Sequence, residues 1–125
     1  MKLKKAFLIA AFAMVSVIAL AYGIDPSWFA RTFLGLDTVS VSFAHILRAV
    51  MGLYLALGVF WLVSAFNDAY RNTAILTTMV FAGGLVIGRL VSFIADGQPA
   101  PLLVFYAVLE CAILPLAWWI YQRPD

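Results

Sequence analysis

The sequence predicts an all-α membrane protein, a four-transmembrane-helix antiparallel bundle, on three observations. Of its 125 residues 66% are hydrophobic and only 11% are charged, whereas soluble domains run near a quarter charged and cover their surface with those groups. The apolar residues fall into four stretches, at approximately 6–22, 43–66, 73–95 and 102–120, each close to the ~20 residues a helix needs to cross hydrocarbon. Nothing outside them is long enough to fold separately, so residues 1–125 read as a single membrane domain. Backbone groups in lipid must bond within their own segment, and runs this long and uniform do not suit barrel strands, which leaves helices.

The first stretch needs its own decision. Lys2, Lys4 and Lys5, then an apolar run and Ala19-Leu20-Ala21, imitate a secretory signal peptide. The run is long for a signal, and Tyr22 followed by Asp25-Pro26 has the form of an interfacial anchor and a helix start, so a retained helix is expected. From Gly23 to Ser42 lies the one long connection. Asp25 can cap a short helix with Pro26 in its first turn, Asp37 can cap the next span, and Gly35 can close the short helix. Trp28, Phe29, Phe33 and Leu34 alongside Arg31 suit either a short interfacial helix in the headgroup layer or a segment packed over the bundle mouth. The connections Asn67–Asn72 and Asp96–Pro101 are short, which makes neighbouring spans antiparallel.

Lys2, Lys4, Lys5, Arg71 and Arg123 fall on one side of the four spans and Arg31 on the other, so both the N- and C-termini are expected to be cytoplasmic. Trp61, Trp118, Trp119 and Tyr121 cluster near that face as an aromatic belt. The formal net charge of +2 is thus a topology signal and not a nucleic-acid footprint; the expected surroundings are a lipid bilayer.

Chemistry is expected where charge interrupts the apolar runs: Arg48 with His45 one turn earlier, Arg89 with Ser92 one turn later, and Glu110. An ionised side chain at mid-bilayer costs about 2.5 to 3.5 kcal/mol on insertion scales and normally faces the bundle interior. At about 1.5 Å per residue all three charges lie in the half of the membrane away from the termini. Two guanidiniums against one carboxylate leave a formal positive excess, suited to an anionic headgroup or a polarised carbonyl. With Asp96 as a further counter-ion, the same residues would serve as an ion-paired strut. His45 reads as a hydrogen-bonding member of the site or as an interfacial residue. With one histidine, one cysteine in an apolar run and one buried carboxylate, no metal ligand set is expected, nor haem held by two histidines, and no cofactor is assigned. Gly52 with Ala56, and Gly84 with Gly88, offer small faces for helix packing, either between the second and third spans or between copies in a homo-oligomer. Pro115 is expected to bend the last span and free a carbonyl near Glu110.

Taken together, Arg48-Ala49-Val50-Met51-Gly52-Leu53-Tyr54, Gly88-Arg89-Leu90-Val91-Ser92, the following Asp96-Gly97-Gln98-Pro99 and Glu110 resemble a family of small bacterial membrane proteins, domain of unknown function 4345. The resemblance implies a four-helix protein of the bacterial inner membrane without an assigned activity. More loosely the layout is similar to the DoxX-like proteins, some of which partner redox enzymes; that likeness is architectural and carries no function. The function expected is a non-catalytic module that binds an anionic lipid, a quinone-like ligand or a membrane-complex subunit through Arg48, Arg89, Glu110, His45, Ser92 and Asp96. One alternative is a membrane enzyme or redox-complex subunit acting on a quinone or thiol-derived substrate with Glu110 as proton acceptor. Another is an oligomeric transporter or channel.

Overall fold

A computed structural model of the chain describes residues 2–124. Its elements are α1 (Lys2–Gly23), the short α2 (Pro26–Phe29) continued by a π-helical turn (Ala30–Leu34), α3 (Val41–Ala65), α4 (Asp68–Ala95) and α5 (Pro101–Tyr121). No strand occurs among the described residues. The four longer helices are each long and apolar enough to cross a membrane, so the protein is a multi-pass membrane protein with a helical-bundle fold.

Helix ends are set by capping side chains. The Asp25 carboxylate accepts from the Trp28 amide at 3.1 Å and Pro26 opens α2, a position where its missing N–H costs nothing. Gly35, at φ 72°, closes the turn in the left-handed region that glycine enters without strain. α3 is capped by Ser40, whose Oγ accepts from the Phe43 amide at 3.0 Å, and not by the expected Asp37. The third span begins five residues before the expected 73, because the Asn67 side chain caps the Ala69 amide at 2.9 Å and Asp68 follows in the first turn, where a carboxylate suits the helix dipole.

α1 packs most extensively on α3 and α4 on α5, while α3 and α4 touch over a smaller area. The bundle is therefore two helical hairpins laid side by side. Close approach of α1 and α3 depends on glycine: a Cβ on Gly23 would stand 2.5 Å from Met51 Cβ, and one on Gly58 would stand 2.9 Å from Val15 Cγ1. The small faces named from the sequence are not used in this way. Gly52, Ala56, Gly84 and Gly88 are exposed, and Gly52, Gly84 and Gly88 have open space where a Cβ would be. The pairing of α3 with α1 turns Leu47, Tyr54, Gly58 and Trp61 inward and those small residues out.

Two ends of the bundle differ. At the end holding the termini, Lys4 is buried and donates to Asn72 Oδ1 at 2.8 Å, while Arg71 is buried and donates to Asp68 Oδ1 at 2.5 Å and to the Ala65 carbonyl at 3.0 Å. Lys5 lies 4.4 Å from the Phe66 ring centre and Arg123 lies 4.7 Å from that of Trp119. Basic residues here seal the helix ends. Trp118 and Trp119 are exposed, whereas Trp61 is buried and donates its indole N–H to Thr77 Oγ1 at 2.9 Å, a core position and not a belt. The opposite end is closed by α2 and its π-helical turn. Phe29 and Ala30 are fully buried, with the Phe29 ring edge-on to Tyr22 at 4.8 Å, and Trp28 and Arg31 point outward. The segment thus covers the mouth with one face and presents an interfacial face with the other.

Candidate functional site

Arg89 on α4 and Glu110 on α5 face each other across the second hairpin, the less extensively packed of the two. Arg89 Nε donates to Glu110 Oε1 at 2.6 Å and Nη2 donates to Oε2 at 3.2 Å, a two-pronged pairing that fixes both planes. The side chains are 20% and 13% exposed, so the pair is largely withdrawn from the surface and each charge depends on the other for solvation. Three tyrosines complete the cluster. Tyr22, Tyr54 and Tyr106 are buried, the Tyr22 ring lies edge-on to the other two at 6.1 and 6.2 Å, and the Tyr22 hydroxyl lies against the Arg89 guanidinium.

Below this polar cluster, between the two hairpins, runs a cavity of about 240 Å³. Phe7, Met14 and Ile18 of α1, Tyr54 and Trp61 of α3, Phe81, Ala82 and Leu85 of α4, and Leu109, Glu110 and Ile113 of α5 line it. Its walls are apolar and aromatic, with Glu110 and the tyrosines at one end. A concave apolar volume with a few convergent polar groups is the usual form of a small-molecule site. On the other side of Arg89, a shallower groove of about 270 Å³ opens between α4 and α5, bordered by Val86, Leu90, Phe93, Val104 and Cys111.

Other residues expected at the site lie elsewhere. Ser92 donates to Asp96 Oδ2 at 2.8 Å, an exposed contact at the end of α4, so Asp96 caps its own helix and does not balance Arg89. Arg48 and His45 are exposed on α3, and Arg48 forms no ion pair among the described residues. Removing Arg48 cancels the expected positive excess: the buried cluster is formally neutral. Pro115 lies within a continuous α5; lacking an N–H, it leaves the Cys111 carbonyl without its helical donor. No cluster of three metal-ligating side chains occurs among the described residues.

Tyr54 and Tyr106 were not singled out from the sequence, and Tyr22 was assigned to an interfacial anchor. A signal was present. A tyrosine inside an apolar span carries a hydroxyl that must find a partner, and Tyr106 stands one turn before Glu110, on the same face of its helix.

No curated protein and no solved structure matches the chain significantly. Residues 3–121 match the family described as Domain of unknown function (DUF4345). That match takes in all four spans, the Arg89–Glu110 pair and the three tyrosines, and the chain belongs to this family.

Proposed function

We propose that the protein is a non-catalytic membrane module that binds a neutral amphiphile with an oxygen-bearing head, of the quinone type, in the cavity between its hairpins. One observation carries this reading: an apolar cavity of about 240 Å³ ends on Glu110 and the tyrosines Tyr22, Tyr54 and Tyr106, with Arg89 paired to Glu110 behind that end and outside the cavity lining. Arg89 spends two of its N–H groups on Glu110 and keeps others free of that pairing, because a guanidinium carries five. Of the donors in the cluster, the tyrosine O–H groups border the cavity, and a carbonyl oxygen is their complementary acceptor. A fully anionic head is less well matched, since the Glu110 carboxylate already neutralises the Arg89 guanidinium. In this picture the basic end faces the cytoplasm of a bacterial cell and the cluster lies in the outer half of its inner membrane.

The ion-paired strut is the competing account, and the double variant Arg89→Leu/Glu110→Leu separates the two. Exchanging a buried ion pair for apolar residues of similar volume is commonly neutral for stability or better, so the fold is expected to persist. Wild type and variant would be purified in mild detergent, offered a short-chain benzoquinone, and compared by retained quinone and by thermal unfolding. Loss of at least tenfold in quinone affinity with unchanged unfolding is the expected result. Equal retention by both proteins would leave only the strut.

A further inference from the structure

Arg48 stands at an unusual position for a charged residue in an apolar span. It lies seven residues into α3, about 10 Å along the axis from Val41, in a helix long and apolar enough to cross a membrane, and it points away from the bundle. Charged groups in such spans normally turn to the interior or find an oppositely charged partner. Arg48 does neither within this chain, so its partner comes from outside.

Direction and surroundings identify that partner. Side chains on a helix lean toward its N-terminus, and the N-terminus of α3 is the end covered by α2. The long Arg48 side chain therefore rises toward the membrane surface, past His45 and Ser42, which are also exposed, and its charged head reaches the headgroup layer while its stem stays in hydrocarbon. Three exposed donor-bearing side chains on successive turns, one of them the Arg48 cation and none a carboxylate, form a ladder of hydrogen-bond donors. A symmetric contact with a second copy through this face would set Arg48 against Arg48. Of the exposed carboxylates that another face could offer at this end, Asp25 and Asp96 already accept from the Trp28 amide and Ser92, and Asp37 lies in the loop before Ser40, off every span. Below the ladder, Gly52 leaves open space on the same exposed side, where an acyl chain can lie against the helix.

We infer that Ser42, His45 and Arg48 on the outward face of α3 form a binding site for the phosphate of a membrane phospholipid, separate from the cavity between the hairpins. Arg48 supplies a planar pair of N–H donors matched to two phosphate oxygens, and His45 and Ser42 add hydrogen bonds from the surface side.

The test uses full-length protein in mixed micelles with phosphatidylglycerol, or with a glucosyl diacylglycerol that has the same chains and no phosphate, read by native mass spectrometry. Wild type is expected to retain phosphatidylglycerol in preference to the glycolipid, R48Q to lose that preference by about tenfold, and R48K, which keeps the charge but not the fork, to fall between them. Because Arg48 does not border the cavity, R48Q is expected to keep wild-type quinone retention, so failure of the lipid site and failure of the cavity reading are told apart. Equal phosphatidylglycerol retention by wild type and R48Q would overturn the inference. So would displacement of the lipid by inorganic phosphate alone, or a wild-type dimer that R48Q converts to monomer, since these assign Arg48 to a free anion or to a second copy.

Discussion

Glu110 has both carboxylate oxygens occupied by Arg89, and Arg89 in turn borders the Tyr22 hydroxyl. Replacing Tyr22 by Phe keeps the ring contacts with Phe29, Tyr54 and Tyr106 and removes one polar partner of a buried charge. Tyr22→Phe is expected to lower stability by about 1 kcal/mol, the ordinary net worth of one hydrogen bond, in detergent unfolding, and to weaken quinone retention. The meeting of Arg89 and Glu110 was legible in the sequence, because each charge is costly alone and both sit at similar depth. The separation of Arg48 from them was not. Depth follows from counting residues, but which way a side chain faces around the axis follows only from an apolar stripe, and in α3 apolar residues fall on every side, the outward one included.

At the scale of the helix, span positions and cap chemistry at Asp25, Pro26 and Gly35 could be read directly, since length, proline and left-handed glycine act locally. Helix partners could not. Gly52 and Ala56 have the spacing of a packing face yet are exposed, while Gly23, four residues after the buried Ala19, and Gly58, which has no such partner, hold α1 against α3. The difference lies in what stands opposite each glycine, which spacing alone does not encode. Two single substitutions expose it. Gly23→Ala places a methyl against Met51 Cβ, an atom fixed by the α3 backbone, and is expected to destabilise by roughly 1 to 3 kcal/mol, as overpacking does. Gly52→Ala meets open space and is expected to be neutral or to stabilise by up to about 1 kcal/mol through helix propensity. Parallel thermal unfolding in one detergent compares them directly.

For the whole molecule, the sequence conveyed a four-span bundle but no cavity, because a void is a property of how two hairpins meet and no single residue records it. Ala82 is buried on α4 and lines that void. Ala82→Phe puts a ring into the space, and the variant is expected to fold with unchanged or higher thermal stability while losing quinone retention at least tenfold. A variant that binds quinone as wild type does would move the ligand away from the cavity.

The arrangement of helices in pairs also bears on how the protein is made. α1 and α3 emerge from the ribosome before α4 and α5, and each pair finds its main partner within itself. Each hairpin can therefore enter the bilayer with its strongest contacts already formed, and assembly is completed by a single lateral docking of one preformed half against the other. The cavity lies along that final seam, so the last surface to close during biogenesis is the one that encloses it.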